Sequence, residues 1–332
     1  MDVSSRRCRI PSQPDTILCH EGIRDAVTKF KRPVASWPEK LEWFVTDDKN
    51  KKPKGVLQGS SHSKFEPDDL AFLQYTSGST SEPKGVMITH GNLAHNLTII
   101  TNELKAAEDT IVVSWLPQYH DMGLIGSYLG VIFCGGSGYY LSPLSFLQRP
   151  MLWIEAVSKY KATHLQAPNF AFKLTSRKFS ANSYDNNSLN LSSVRHIINA
   201  AEPVDEDSIE LFESAFGRFG LGKVIFPTYG LAEHTVFVCS GGKQRISVVK
   251  EELELNGKVV LAQKSRNVDD ESVSRLVGCG YPDRQGVEVK IVDREAGMQL
   301  KADTVGEIWI RSPSKAGGYY RKDVESKEDF QA

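Results

Sequence analysis

Between two short apolar runs the chain reads Tyr75-Thr-Ser-Gly-Ser-Thr-Ser-Glu-Pro-Lys84-Gly85-Val86, a stretch of hydroxyls and glycine with one lysine. That composition suits an oxyanion. The hydroxyls of Thr76, Ser77, Ser79 and Thr80 and the backbone amides supply donors, Gly78 permits close approach, and Lys84 brings a mobile positive charge. The spacing is not G-x-x-x-x-G-K-[ST], so the loop is no Walker-type phosphate loop. As bare composition it also fits a polar surface turn.

The elements that must hold this loop are legible in the pattern around it. Leu70–Tyr75 and Val86–Ile88 read as strands, and Thr89 reads as the N-cap of a helix carrying Leu93, Leu97, Ile100 and Leu104 on one stripe. Strand patterns recur at 110–116, 163–166, 195–200 and 224–227. Between them, Pro150 opens a helix with Ile154, Val157 and Lys161, and Asp205 caps one with Ile209, Phe212 and Phe216. This alternation predicts an α/β fold with a largely parallel sheet covered on both faces. After Cys239, Val287, Val289 and Ile291 alternate with Glu288 and Lys290, and 305–311 forms a second run, as in a smaller β-rich subdomain. The expected division is 1–66 as the remnant of an N-terminal subdomain and linker, 67–238 as the α/β core, and 239–332 as the β-rich part. Residues 1–66 show one helical pattern, around Ile23, Ala26, Val27 and Phe30.

Composition narrows the classes. Lys plus Arg number 40 against 41 Asp plus Glu, for a net charge of −1. Phosphate-driven nucleic-acid binding has no electrostatic footprint in that balance. The one dense cluster, Lys49, Lys51, Lys52 and Lys54, reads as a solvated loop. Five widely spaced cysteines without a C-x-x-C pair argue against a disulfide framework and a zinc site. Arg6, Arg7 and Arg9 precede no apolar run, so no secretory signal is expected and the expected setting is cytoplasmic. Residues 122–148 carry no charge, but their glycines, serines and Pro143 favour a buried helix over 123–134, a turn at 135–138 and a strand at 139–142 over a membrane span.

With its flanks, the 75–86 segment resembles the phosphate loop of the adenylate-forming superfamily, and two further segments fall in that family's order. Tyr229-Gly-Leu-Ala-Glu-His-Thr235 follows a predicted strand end, where open α/β sheets place ligand crevices. The resemblance implies Tyr229 stacked on adenine beside Gly230, Glu233 on Mg²⁺ and Thr235 near the α-phosphate. A hard carboxylate oxygen suits Mg²⁺, and an aromatic face suits a purine. Asn199-Ala-Ala-Glu-Pro203 resembles the adenine-side loop through Ala201, Glu202 and Pro203, with Ala200 where glycine is usual. Trp115-Leu-Pro-Gln-Tyr-His120-Asp121 and Gln166-Ala-Pro-Asn-Phe-Ala-Phe resemble fatty acyl-AMP ligases most closely, and by that analogy His120 lines the passage from acyl pocket to α-phosphate. The stretch 243–277, with Ile246, Val248, Val249, Leu253, Leu255, Val259 and Val260, matches the position of the insertion that sets those ligases apart from CoA ligases.

The resemblance implies ATP and Mg²⁺ as cofactors, a fatty acid as substrate, and an acyl carrier protein or CoA as acceptor, with Lys84, His120 and Thr235 as the catalytic residues. A fatty acyl-CoA ligase and a non-catalytic adenylate-binding module are the alternatives. The family's mobile C-terminal domain and its lysine would follow residue 332. The chain therefore looks truncated, and by itself is expected to adenylate slowly or not at all.

Overall fold

In a computed structural model the chain divides into two units, Met1–Phe65 and Glu66–Ala332. The structure describes the backbone of 16–19 and 42–45, and residues 65–76, 83–181, 184–185, 187–262 and 270–330. In the first unit β1 (Thr16–Cys19) and β2 (Glu42–Val45) pair in parallel. The helical pattern around Ile23 and the lysine cluster at 49–54 lie outside the described residues, as do Ser77, Gly78, Ser79 and Thr80.

In the second unit β3 (Leu70–Tyr75) and β4 (Gly85–Thr89) form an antiparallel pair of their own, separate from the main sheet. Thr89 ends β4 and caps α1 (His90–Leu104). Its Oγ1 accepts the Asn92 N–H at 3.1 Å, while Asn92 Oδ1 accepts the Thr89 N–H at 3.1 Å, so two orphan donors of the first turn are satisfied reciprocally. The expected stripe is the buried one: Leu97 and Ile100 lie in the core, with Leu93 and Leu104 packed against it.

The chain then alternates through β5 (Ile111–Ser114), α2 (Gly130–Cys134), β6 (Ser137–Tyr140), α3 (Pro143–Gln148), α4 (Met151–Tyr160), β7 (His164–Pro168), α5 (Asn169–Lys178), β8 (His196–Ala200), α6 (Glu206–Phe216), β9 (Ile225–Tyr229) and β10 (Cys239–Ser240). These strands make one sheet in the order β10-β9-β8-β7-β5-β6, parallel throughout except at β10, which runs antiparallel to β9. Trp153, Phe146, Phe172, Phe212 and Phe216 are fully buried together, with α4, α5 and α6 contributing most of them. Asp205 caps α6 as expected, accepting the Ser208 N–H at 2.8 Å.

The uncharged stretch departs from expectation. Met122–Leu129 is wound as a π-helix leading into α2, and Ile132 and Phe133 at the end of α2 are 74 % and 49 % exposed, so the helix is not buried throughout. The following strand is Ser137–Tyr140, two residues earlier than expected, and takes in Gly138 where a turn was expected. The Tyr140 ring folds over that glycine: a Cβ there would stand 2.5 Å from Tyr140 Cζ. The glycine marks close packing in a strand and not a bend.

The stretch 243–277 is also more regular than its sequence implied. Its described residues form β11 (Arg245–Val249), α7 (Lys250–Leu255) and β12 (Val273–Val277), with β11 and β12 antiparallel and Val248 fully buried. β13 (Glu288–Asp293), β14 (Met298–Gln299) and β15 (Glu307–Arg311) make a three-stranded antiparallel sheet, and α8 (Asp323–Phe330) follows. Among the described residues no helix is long and apolar enough to cross a membrane.

Candidate functional site

Strand ends create the site. At the C-terminal ends of β8 and β9 the chain turns through Ala200-Ala201 and Tyr229-Gly230, and these residues line one cavity with His120, Asp121 and Met122. Behind them the walls are apolar: Ile100 and Leu104 from α1, Ile198 from β8, and Val236 and Phe237. Gln166 of β7 enters from the side. The cavity thus has a mouth of small and aromatic residues and a greasy interior, a shape that holds a flat polar group joined to a hydrocarbon tail.

Two backbone positions shape the mouth. Ala201 has φ +69°, in the left-handed region that favours glycine, and the strain falls in the loop the sequence likened to an adenine-side loop. Gly230 is tighter, because a Cβ there would lie 1.8 Å from the Val236 carbonyl oxygen. Asn96, fully buried on α1, holds the opposing segment: its Nδ2 donates to the Phe237 carbonyl at 2.9 Å and its Oδ1 accepts the Phe237 N–H at 3.1 Å. Burial pushes the Tyr229 hydroxyl pKa up, with the nearby Cys239, Glu233 and Cys279 adding to the shift.

His120 is half-exposed at the cavity, its Nδ1 2.7 Å from Asp121 Oδ1. The hydrogen bond to Asp121 raises the imidazole pKa above its ordinary 6.5, against the opposing effect of burial. A cationic ring beside the mouth would attract a carboxylate or a phosphate. In a histidine NMR titration His120 is expected to titrate above 6.5, and Asp121→Asn to move it down. Identical curves for the two proteins would rule out the ion pair as the cause.

Glu233 lines a second cleft, and Lys84 contacts two other residues of its wall. Lys84 Nζ is 3.3 Å from Asp329 Oδ2 of α8 and 4.5 Å from the centre of the Tyr319 ring, whose hydroxyl donates to Glu233 Oε1 at 2.7 Å. Burial, then the Glu233 carboxylate, push the Tyr319 pKa up. Tyr319 is held there because 317–320 hydrogen-bond along β4, with Met87 N–H to the Gly318 carbonyl at 2.8 Å and Tyr320 N–H to the Gly85 carbonyl at 2.8 Å. Lys290, Arg294, Arg311 and Lys315 line the same cleft together with Glu288, Glu307, Glu328 and Asp329, so its walls carry both signs of charge. The Thr76 N–H donates to the Lys84 carbonyl at 3.0 Å, so the two ends of the hydroxyl-rich loop are joined.

The structure therefore brings His120, Ala201, Tyr229 and Gly230 to one cavity and Glu233 to a second cleft, with Lys84 against that cleft's Asp329 and Tyr319. Glu202 and Pro203 are exposed beyond β8, where Glu202 Oε1 accepts the Phe170 N–H at 2.5 Å. Thr235 lines neither opening. It is fully buried with its hydroxyl donating to the Ser314 carbonyl at 2.7 Å, which takes it away from both openings. Gln166, Tyr319 and Asp329 received no role from the sequence. The one available signal was Gln166, a polar residue between Leu165 and Ala167 on a strand expected to be buried.

The family described as AMP-binding enzyme matches residues 13–320. The medium-chain-fatty-acid–[acyl-carrier-protein] ligase JamA of Moorena producens is 38 % identical over 317 residues, covering 94 % of this chain and 51 % of that protein. The 4-hydroxyphenylalkanoate adenylyltransferase of Mycobacterium tuberculosis is 36 % identical over 276 residues, 81 % of this chain and 43 % of its own length. Among solved structures, a fatty acyl-adenylate ligase from L. pneumophila in complex with acyl adenylate and pyrophosphate superposes with a TM-score of 0.78 at 34 % identity, over 95 % of this chain and 53 % of that one. The chain spans about half the length of the relatives it matches.

Proposed function

Because the chain belongs to the AMP-binding enzyme family, we propose that it is the nucleotide- and acyl-binding core of a fatty acid-AMP ligase. In the proposed reaction a fatty carboxylate oxygen bonds to the α-phosphorus of ATP as the bond to the bridging oxygen breaks and pyrophosphate leaves. The acyl group then passes to the phosphopantetheine thiol of a carrier protein and AMP departs. The observation that carries this reading is the continuity of the cavity, from Tyr229, Gly230 and Ala201 at the mouth to Ile100, Leu104, Val236 and Phe237 inside. The similarity to a ligase named for fatty acids and acyl carrier protein supports the same substrate and acceptor.

In this reading Tyr229 stacks on adenine and His120 attracts the carboxylate toward the phosphorus. Alignment of the two reactants is most of what the protein must supply. Lys84 serves the departing phosphates once it leaves Asp329, and the loop hydroxyls from Thr76 to Thr80 add donors. Among the described residues no cluster of three or more potential ligands could hold a metal by itself. Glu233 alone fits Mg²⁺, an ion that keeps several waters and is bound by one or two carboxylates together with substrate phosphates. Mg²⁺ bound there would neutralise charge on the phosphate oxygens. The subdivision of the second unit into an AMP-binding core at 67–238 and a β-rich part at 239–332 belongs to the same reading.

The test is thermal and chemical unfolding of this chain with a non-hydrolysable dodecanoyl-adenylate mimic, with AMP for comparison. Ligand at 100 times Kd stabilises by about 2.7 kcal/mol. Strong stabilisation by the mimic, weaker by AMP, and loss of both in Tyr229→Ala is the expected pattern. Absence of stabilisation by either ligand would refute the reading.

A further inference from the structure

Gln166 is 94 % buried in the cavity wall, and among the described residues its carboxamide has no hydrogen-bond partner. Elsewhere the buried amides are at least partly paired, although the Asn199 and Gln285 side-chain oxygens are also left without a partner. Asn96 grips the Phe237 backbone through both ends of its side chain, and Asn169 bonds Asp205, Ser208 and Asn199. A buried amide left open carries a desolvation cost that water or a ligand must offset. The Gln166 carboxamide is also held in place. It lies against the π-helical segment, where a Cβ on Gly126 would come 2.4 Å from Oε1 and 3.1 Å from Nε2. Gly126 clears the space the amide fills.

Strand register gives its depth. Gln166 pairs with Ile198, while Pro168 pairs with Ala200 at the cavity mouth. Two residues of strand separate the levels, about 7 Å at 3.3 Å per residue. Gln166 therefore stands inside the apolar section, beyond the level where a carboxylate would meet His120 and Ala201. A plain alkyl chain passing this level leaves the amide unpaired or strips its water. An oxygen on the chain at that depth would satisfy it.

We infer that Gln166 is a specificity-determining residue that reads a hydroxyl or carbonyl oxygen within the acyl chain, so that the substrate class is an oxygen-bearing fatty carboxylate. This rests on the acyl-adenylate reading of the same cavity. Both ends of a carboxamide are usable: Nε2 donates to either oxygen, and Oε1 accepts from a hydroxyl. A hydroxylated chain meets both, whereas an oxo chain meets one.

The test uses this chain and a series of acyl-sulfamoyl adenosines: unsubstituted decanoyl and dodecanoyl, and the same chains bearing one hydroxyl at successive internal carbons. Binding is measured by calorimetry on the parent protein, Gln166→Met and Tyr229→Ala. Met keeps the length and flexibility of glutamine, and its melting temperature checks that the fold is retained. The expected result is one hydroxyl position that binds the parent about tenfold tighter than the unsubstituted chain, as one more net hydrogen bond gives. In Gln166→Met that advantage vanishes while the unsubstituted chains bind as well or better. If Gln166→Met proves unstable, Gly126→Ala, which crowds the carboxamide, is expected to remove the same advantage. Equal affinity at every hydroxyl position, or a preference that survives in both variants, overturns the assignment of Gln166 while leaving the cavity reading intact. Failure of the unsubstituted chains to bind, or binding indifferent to Tyr229→Ala, overturns both.

Discussion

Gly230→Ala is expected to abolish binding of an acyl-adenylate mimic and to destabilise the second unit by about 3 kcal/mol or more, beyond the usual range for overpacking a single methyl. The added Cβ would sit 1.8 Å from the Val236 carbonyl oxygen and 2.9 Å from its carbon. Neither is the tip of a flexible side chain. Val236 donates to the His234 carbonyl at 2.8 Å, Val238 to the Tyr229 carbonyl at 3.0 Å, and Phe237 is gripped by Asn96. Relief must come from moving one of two backbone segments, and both line the cavity. Urea unfolding and ligand titration of the variant measure the two effects separately. A midpoint unchanged from the parent would show that the turn yields at little cost.

Acid is expected to unfold the protein through two buried imidazoles. His196 stacks on Phe226 with ring centres 4.0 Å apart, and its Nε2 is buried with no partner. Burial, then the neighbouring His164, depress its pKa from 6.5 to about 3. His234, at 2 % exposure, lies 2.9 Å from the Phe237 carbonyl through Nδ1 and 2.6 Å from Ser312 Oγ through Nε2, and burial brings its pKa to about 4. Above pH 6.5 both rings are neutral whether the chain is folded or not, and they add no pH dependence. Below 6.5 the unfolded chain takes up protons that the folded one refuses, so stability falls as pH descends toward 4. At pH 4.5 each ring contributes about 2 to 3 kcal/mol of destabilisation. Carboxylates such as Asp205, whose partners lower its pKa, add a loss of the same sign at lower pH. The discriminating comparison is therefore His196→Phe against the parent, by urea unfolding at pH 7 and 4.5. The variant should lose distinctly less on acidification, and equal losses would clear His196 of the effect.

The fold was legible where one side chain makes its own local case. Thr89 and Asp205 announce helix starts because a short oxygen-bearing side chain can reach the third N–H of the turn, and both do. The stripes on α1 and α6 declare themselves by period. The winding of Met122–Leu129 does not, because apolar residues and glycines accept α or π winding alike and the choice is made by what packs around them. β11 was obscured by its charged neighbours, although Ile246 and Val248 with Ser247 between them carry the alternation. Tyr229, Gly230, Ala201 and His120, singled out by motifs that keep their order, line one cavity. Thr235 lies outside that group: at a φ of +67° its hydroxyl donates to the Ser314 carbonyl, a conformation no motif records. Tyr319 escaped notice because its neighbours Lys84 and Glu233 lie far from it in sequence.

The grip of Asn96 on Phe237 joins residues 141 apart. Closing a chain segment of that length costs about 4 kcal/mol in loop entropy, more than one amide clasp returns. The cavity wall can therefore close only after the intervening strands have assembled, and the binding site is among the last parts of the second unit to form. A ligand held between Ile100 and Phe237 draws its stabilisation from the folded state of everything between them. Bound ligand should accordingly slow proteolysis at sites spread across 100–237, well beyond the residues it touches.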